Sequence, residues 1–340
     1  MTRPVQNPPN PWSSTQVEWL EEPPNATLQI FEERARSILS ENDSPDLPFR
    51  FSVNPYRGCI HACAYCYARP SHQYLGFGAG TDFDRKIVVK TNAAELLREA
   101  FVRPSWNGDT IVFSGNTDCY QALEANYELT RRCLEVCLEF QNPISIITKS
   151  RLVARDTALL AELTRRARAK VFLSIPFAHD EDSLKIEPWA AKSSLRFAAM
   201  KMLADAGIFV GIGIAPIIPG LNDSDVPELL ERAKEAGAQV AFIQPLRLAA
   251  EVLPVFEERL QEAYPLRFSK VQNAVLEMRG GKMNESAFGA RFSGRGPRWA
   301  MIEKLFAAHC ARLGLDHDRI TTEVSSTFQR PKKQLSLFDT

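Results

Sequence analysis

The stretch Gly58-Cys-Ile-His-Ala-Cys-Ala-Tyr-Cys-Tyr67 places three cysteines within eight residues, separated by three and by two intervening residues. A tight loop of this kind aims three thiols at one point, and thiolates are ligands of both iron–sulfur clusters and zinc. A [4Fe–4S] cluster usually takes four thiolates, so three local ones leave one iron open to a substrate or cofactor. The alternative is a zinc site that adds His61 or a distant cysteine, although no second cysteine pair follows.

Six apolar, β-rich runs follow one another along the chain, with helical segments between them. The runs are 51–53, 110–114, 144–148, 171–175, 208–214 and 240–243. The cysteine stretch follows the first run. Near-continuous apolar strands that alternate with helices are typical of a parallel sheet covered by helices. We therefore predict an α/β fold, a partial (β/α)6 TIM-like barrel, in which ligands bind at the carboxyl ends of the strands.

The sequence predicts a chain of four parts, with the six runs in the second of them. They are an N-terminal arm (1–45), partly disordered, a core (46–250), a C-terminal extension packed on the barrel (251–320) and a flexible basic tail (321–340). Residues 297–313 have the pattern of an amphipathic helix, with Trp299, Ile302 and Phe306 on one face. We expect this helix to close the open side of the barrel.

Composition excludes several classes of protein. Lys plus Arg equals Asp plus Glu, 41 each, so any nucleic-acid surface must be a local patch. The first residues lack an apolar signal region, and the longest apolar stretch, 208–218, is too short to span a bilayer. These features and the odd number of cysteines, seven, predict a cytoplasmic protein without a membrane partner. Cys133, Cys137 and Cys310 are expected to be buried as small hydrophobic residues.

Over roughly residues 50–250 the chain resembles the radical S-adenosylmethionine superfamily. The resemblance lies in the cysteine spacing, the aromatic residue before the last cysteine and the succession of βα units. The resemblance implies a [4Fe–4S] cluster on Cys59, Cys63 and Cys66, with S-adenosylmethionine on the fourth iron. Reductive cleavage of that cofactor would give a 5'-deoxyadenosyl radical, with electrons from a donor such as flavodoxin or ferredoxin. Tyr65 would pack against the adenosine end.

Polar residues follow the other strands at the end where this superfamily binds its cofactor. The segment after the second strand would bind the methionine amino group and consists of Ser114, Gly115, Asn116, Thr117 and Asp118. Lys149 would pair with the methionine carboxylate, and Ser174 with a ribose hydroxyl. Glycines in 211–220 would let the backbone approach a ligand. For each residue the alternative is ordinary turn chemistry.

Within the superfamily, the motifs are most similar to the spore photoproduct lyase branch and its uncharacterised relatives, which implies DNA as the substrate class. That branch has a cysteine hydrogen donor where this chain has Gly115. Cys119 is a candidate donor in its place, or an incidental loop cysteine. Tyr65 and Tyr67 match two tyrosines that relay a hydrogen atom in that branch. A radical enzyme acting on a small molecule or protein, and a non-catalytic zinc module, are the alternatives.

The last residues contain a short motif that resembles the bacterial sliding-clamp-binding pentapeptide. It consists of Gln334, Leu335, Ser336, Leu337 and Phe338 and follows the basic run 330–333. Leucine and phenylalanine anchors in a flexible segment can order in an apolar groove. The motif therefore predicts recruitment to the replication clamp. The alternative is a hydrophobic tether that folds back on the barrel.

Overall fold

The structure is a computed structural model that describes residues 3–13, 22–316 and 326–331. Within these ranges ten strands form two sheets. The strands are β1 (Gln29–Glu33), β2 (Leu39–Glu41), β3 (Phe51–Val53), β4 (Tyr56–Arg57), β5 (Lys86–Lys90), β6 (Ile111–Phe113), β7 (Ile144–Thr148), β8 (Ala169–Ser174), β9 (Phe209–Ile217) and β10 (Val240–Pro245).

The larger sheet confirms the predicted architecture. Strands β3, β6, β7, β8, β9 and β10 lie side by side in chain order and run parallel, and β2 pairs antiparallel with β3. These six parallel strands are the six runs predicted from the sequence. The sheet is a partial barrel, because β2 and β10 stand at its two ends. The carboxyl ends of the parallel strands therefore meet at one edge.

Helices cover one face of this sheet. In the described residues they are α1 (Thr81–Arg85), α2 (Ala93–Val102), α3 (Glu124–Tyr127), α4 (Leu129–Glu139), α5 (Thr157–Ala167), α6 (Asp180–Ile186), α7 (Ser193–Asp205), α8 (Val226–Glu235), α9 (Leu253–Ala263), α10 (Phe268–Met278) and α11 (Gly296–Leu313). Strand residues such as Phe113 and Leu173 pack with helix residues such as Leu160 in the main hydrophobic core. Side chains alternate along a strand, so neighbours such as Val112 lie on the opposite, concave face. Cys133, Cys137 and Cys310 are fully buried, as predicted.

The N-terminal segment is hydrogen bonded to the body of the protein, although the sequence predicted a partly disordered arm. The amide of Thr81 donates to the carbonyl of Gln6, and the amide of Gln6 donates to the Thr81 hydroxyl, both at 2.9 Å. A Cβ on Gly80 would lie 2.0 Å from the carbonyl oxygen of Gln6, so the approach requires glycine. Further along, β1 pairs with β5 in the smaller sheet β1-β5-β4, which the sequence did not predict.

Helix α11 forms as predicted, but it does not close the barrel. Its buried face packs on the outer helices α8 and α10. Asp316, just beyond it, pairs with the free edge of β10 next to Val240. The helix therefore covers the outside of the sheet.

The open side of the barrel is crossed instead by the segment 285–293. Arg291 pairs with Asp46, in the loop between β2 and β3, at 2.8 Å. The Phe292 ring next to it lies 4.9 Å from the guanidinium of Arg247, which follows β10. The segment thus links the two end strands of the sheet.

Residues 326–331 are docked on the body of the protein, within the region predicted as a flexible tail. The Phe328 ring stacks on Phe140 with centroids 6.1 Å apart and contacts Phe101 edge to face. The hydroxyl of Thr327 donates to the carbonyl of Gln141 at 2.8 Å. These partners lie at the amino ends of the strands. The motif 334–338 lies outside the described residues.

Candidate active site

The loop 58–68, here called the cysteine loop, follows β4 and begins with a glycine in the left-handed region. Gly58 has a φ of +77°, and a Cβ there would lie 2.9 Å from Cδ1 of Ile87 and from the carbonyl oxygen of Phe83. The next amide, that of Cys59, donates to the same Phe83 carbonyl at 3.0 Å. Glycine is required because any larger residue would push the loop away from α1 and β5.

Arg69 holds the far side of the cysteine loop. Its guanidinium is 1% exposed and donates to the carbonyl of Cys63 through Nε and Nη2, at 3.2 and 3.0 Å. Nη1 donates to the carbonyls of Ala79 and Gly80, and Asp84 neutralises the charge at 2.9 Å. A buried guanidinium whose donors are satisfied in this way fixes the backbone beside the second cysteine. Sequence reasoning missed this residue.

The three thiols of the loop face a shared, buried environment. Cys59 and Cys63 are each 6% exposed, and Cys66 is partly buried. Burial raises the pKa of Cys63 and Cys66, the latter to about 11, and the charges of neighbouring thiols raise both further. Among the described residues, no three side chains of His, Cys, Asp or Glu converge on a single ion. A cube in which each thiolate binds its own iron does not need such convergence.

Asp118 joins the cysteine loop to the end of β7. Its carboxylate accepts hydrogen bonds from the Thr148 hydroxyl and the Lys149 amide, both at 2.7 Å, and lies 3.4 Å from Nδ1 of His61. Burial would raise the pKa of Asp118, but His61 and these two donors lower it to about 2. The predicted cofactor residue Asp118 is therefore an ionised link between two loops.

The remaining residues after β6 are also engaged with their neighbours. The Ser114 hydroxyl accepts from the Cys119 amide, the Asn116 amide donates to the Asn54 side chain, and the Thr117 hydroxyl donates to the Tyr56 carbonyl. Ser114 has a φ of +70°, uncommon for a residue with a side chain. This strained turn directs the segment across the end of the strand.

Gly115 leaves no room for a side chain. A Cβ at this position would lie 2.8 Å from Cβ of Ser52, on the neighbouring strand β3. The carbonyl of Gly115 accepts a hydrogen bond from the Tyr67 hydroxyl at 3.0 Å. Tyr67 is 55% exposed, so it lies at the mouth of the site and links the cysteine loop to the segment after β6.

Lys149 connects the ends of three adjacent strands. Its Nζ donates to the Ser174 hydroxyl at 2.6 Å, lies 3.4 Å from the carbonyl of Ala215 and pairs with Glu187 at 3.2 Å. It also lies 5.5 Å from the centre of the Tyr65 ring. The structure thus brings together three residues predicted separately: Lys149, Ser174 and Tyr65.

Glu187 is a buried charged residue of the site that the sequence did not reveal. It is fully buried, accepts a hydrogen bond from the Tyr65 hydroxyl and pairs with the equally buried Arg196. Burial would raise the pKa of Glu187, but Arg196 and Lys149 lower it to about 2. Arg196 also donates to the carbonyl of Ser174 at 2.8 Å. No motif surrounds either residue, so only the fold could have shown that they are buried together.

Cys119 lies in the hydrophobic core and is 1% exposed. Its carbonyl accepts from the Thr130 hydroxyl at 2.6 Å, which ties this loop to α4. Burial raises the pKa of its thiol well above the usual value. The hydrogen-donor role predicted for Cys119 would require this loop to rearrange, and it stays a prediction.

The glycines of β9 serve packing within the sheet rather than close approach of a ligand. A Cβ on Gly211 would lie 2.8 Å from the Phe172 ring, and one on Gly213 would lie 2.6 Å from the Phe242 ring. These two aromatic rings contact each other edge to face, 5.7 Å apart. These rings occupy the space beside the β9 backbone, where the sequence predicted that a ligand would approach.

The arrangement presents three thiols, a lysine and a serine hydroxyl at one edge of the sheet. Lys149 affects the pKa of Cys63, and Asp118 contacts both the cysteine loop and the Lys149 amide, so these groups form one connected region. The thiols are suited to iron, and the lysine to an anionic group.

Comparison with known proteins points to one family. The family model described as Radical SAM superfamily matches residues 53–233. An uncharacterised protein of Mycobacterium tuberculosis is 38% identical over 221 residues, which are 64% of this chain and 65% of that protein. The chain therefore matches slightly less than two thirds of that relative's length. A protein of Pseudomonas phage M6 named Radical SAM Nalpha-GlyT isomerase is 24% identical over 68% of this chain and 45% of its own length.

The fold is also similar to that of a solved structure. Spore photoproduct lyase complexed with dinucleoside spore photoproduct superposes with a TM-score of 0.60 and 16% identity, covering 85% of this chain and 81% of that chain. At this level of identity the similarity concerns the fold. No helix within the described residues is long and apolar enough to cross a membrane.

Proposed function

The chain belongs to the radical SAM superfamily, and on this premise we propose that Cys59, Cys63 and Cys66 hold a [4Fe–4S] cluster that activates S-adenosylmethionine. The observation that carries the proposal is the cysteine loop itself, whose three thiols, two buried and one partly buried, lie between the fixed points Gly58 and Arg69. When bound, the cluster and the cofactor together supply a 5'-deoxyadenosyl radical to the substrate.

The residues present fit this pair of groups. Three thiols are local, and the histidine of the same loop, His61, is already paired with Asp118. One iron therefore remains for the methionine part of the cofactor. A reductant such as flavodoxin or ferredoxin would supply the electron.

We place the methionine carboxylate beside Lys149 and a ribose hydroxyl beside Ser174. The Lys149 side chain is 15% exposed, so a ligand can reach it, and its pairing with Glu187 shows that its Nζ attracts a carboxylate. The segment 114–118 would meet the methionine amino group. Tyr65, held by Glu187, would line the adenosine end.

We propose DNA as the substrate class. The proposal is supported by the fold shared with spore photoproduct lyase and by the motifs of that branch. The substrate radical must be quenched in a different way from that of the spore photoproduct lyase branch. Gly115 and Ser52 leave no space for a cysteine at the donor position of that branch. Tyr67, exposed at the mouth, is a candidate hydrogen relay.

Anaerobic reconstitution with iron and sulfide tests the cluster. We expect about four irons per chain, release of 5'-deoxyadenosine when reductant and S-adenosylmethionine are added, and a change in its yield with damaged DNA. Changing Cys59, Cys63 or Cys66 to Ala should abolish both the colour and the cleavage. Cys310→Ala, in the core of α11, is the matched control and should retain both. Stoichiometric zinc without iron would contradict the proposal.

We also propose that residues 334–338 bind the replication clamp. The support is the motif and its position just beyond the docked segment 326–331. That segment lies at the amino ends of the strands, whereas the cofactor residues lie at the carboxyl ends. A partner bound there would leave the substrate mouth open.

A further inference from the structure

Three arginines gather beside the mouth of the site, from parts of the chain that are distant in sequence. Arg247 follows β10, Arg279 ends α10, and Arg291 lies in the segment that crosses the open side of the barrel. Arg247 and Arg291 contact the same ring, that of Phe292, and Arg279 donates to the carbonyl of Leu246, the residue before Arg247. Neighbouring like charges repel, so each arginine needs compensation.

Two of the three arginines are compensated within the protein. Arg291 pairs with Asp46 at 2.8 Å and donates to the Ser44 hydroxyl. Arg279 donates to the carbonyls of Leu246 and Ser293, at 2.6 and 2.8 Å. Both arginines therefore hold the segment 285–293 against the barrel.

Arg247 is not compensated in this way. Its Nε is buried without a hydrogen-bond partner. Asp46 acts on Arg247 electrostatically, but that carboxylate forms its ion pair with Arg291, and no carboxylate among the described residues forms one with Arg247. Burial, and then Arg291, lower the pKa of Arg247. A half-buried guanidinium without an ion-pair partner costs stability, and an anionic ligand at its other nitrogens, Nη1 and Nη2, would offset that cost.

Aromatic rings accompany these charges. Phe292 lies between two guanidinium groups, 4.9 Å from that of Arg247 and 4.9 Å from that of Arg291. Phe288, on the other side of Arg291 at 4.6 Å, is 62% exposed. An exposed ring backed by a guanidinium is a stacking platform for a nucleic-acid base.

The group also lies next to the proposed reaction site. Arg291 pairs with Asp46, and Phe49 in the same loop would lie 3.8 Å from a Cβ on Gly115. The carbonyl of Gly115 accepts the hydrogen bond from the Tyr67 hydroxyl. The electrostatic effect of Arg247 on Tyr67 agrees with this position. A ligand held by Arg247 would therefore enter along Tyr67 toward the cysteine loop.

We infer that Arg247 binds a backbone phosphate of a single nucleic-acid strand and that Phe288 stacks on an unpaired base of the same strand. The combination of an unpaired cation with an exposed aromatic face favours nucleic acid over a simple anion, which needs no ring. It favours a single strand over intact duplex, since bases in a duplex cover their own faces and chemistry on a base requires its extrusion. The inference rests on the proposed action on DNA and names the surface that would deliver the strand.

Binding of a fluorescein-labelled single-stranded oligonucleotide to the reconstituted holoenzyme, followed by fluorescence anisotropy at several salt concentrations, tests the inference. Arg247→Gln should weaken binding about tenfold and reduce the slope of log affinity against log salt by about 0.7, the value for one lost phosphate contact. Phe288→Ser should weaken binding at least about fivefold without changing that slope. Phe288 is exposed, so its replacement leaves the core intact.

Arg165→Gln is the matched control, because Arg165 is an exposed arginine of α5 with a side chain 71% exposed. It should bind the oligonucleotide like the unaltered protein. All three variants should release 5'-deoxyadenosine at the unaltered rate in the absence of DNA, which keeps the cluster proposal separate from this one. Oligonucleotide binding that is unchanged in both Arg247→Gln and Phe288→Ser overturns the inference.

Two other outcomes overturn the inference for different reasons. Equal competition by inorganic triphosphate and by the oligonucleotide would show a simple anion site without base stacking. An unaltered holoenzyme that binds no oligonucleotide would remove DNA as the substrate class, while its cleavage of S-adenosylmethionine would still support the cluster.

Discussion

Lys149 is the residue that we propose to meet the methionine carboxylate of the cofactor. Its ammonium group already meets a carboxylate, that of Glu187, and a hydroxyl, that of Ser174. The sequence predicted a carboxylate partner for Lys149, but it did not predict that the protein contains one. Arg196 remains to neutralise Glu187 when Lys149 turns toward a ligand, since it pairs with the same carboxylate.

Lys149→Ala should weaken S-adenosylmethionine binding by roughly 10- to 100-fold, the range for one charge-assisted hydrogen bond. Iron content should not change, because Lys149 is not a ligand. Isothermal titration of the anaerobic holoenzyme measures the affinity, with iron analysis beside it. Lys201→Ala, which removes an exposed lysine of α7, is the control. Unchanged affinity in a folded Lys149→Ala protein would make Lys149 a structural residue only.

Gly115 differs from the spore photoproduct lyase pattern for a reason visible in the packing. We expect Gly115→Cys to destabilise the protein by about 1–3 kcal/mol, the usual effect of overpacking, because the new Cβ would meet Cβ of Ser52. The double variant Gly115→Cys with Ser52→Gly should regain most of the stability that Gly115→Cys loses. Thermal unfolding of the two single variants and the double variant gives the coupling energy. Additive effects would mean that Ser52 is not what excludes the cysteine.

At the scale of elements, the six parallel strands could be predicted from the sequence, whereas the additional strands at the edges of the fold could not. Each of the six parallel strands has a continuous β-rich run in the sequence, and each of these runs forms a strand in the structure. Strands β1, β2 and β4 are short or partly exposed and have no such run. Their positions are decided by pairing with distant partners, as β1 pairs with β5.

The segment 326–331 lies in the region predicted as a flexible tail, but in the structure it packs on the body of the protein. Phe328 fills the space above Gly108, where a Cβ would lie 2.2 Å from that of Phe328, and its ring contacts Phe101 and Phe140. Phe328→Ala should therefore lower the free energy of unfolding by about 2 kcal/mol, less than for a fully buried ring. Chemical denaturation measures the loss. Release of 5'-deoxyadenosine by the folded protein should be unaffected, and an unchanged stability would show that the segment is not docked in solution.

At the scale of the whole molecule, we expect the proposed binding to the clamp and the chemistry to be separable. Removing residues 332–340 should leave thermal stability and cofactor cleavage unchanged, because the anchors Thr327 and Phe328 remain. It should abolish binding to the clamp, which for so short a peptide should be weak, on the order of micromolar. A melting temperature lowered by this truncation, with no clamp binding to lose, would support the alternative of a hydrophobic tether.

The sequence by itself determined the parallel sheet, its strand order in the chain and the three-thiol loop, because these features rest on local periodicity and short spacing. Only the tertiary structure decided which charges are buried together. Glu187 and Arg196 compensate each other, whereas Arg247 is left without an ion-pair partner among the described residues. It also decided that the segment 285–293, rather than α11, crosses the open side. Burial and charge pairing depend on residues that are far apart in the chain, so no local pattern predicts them.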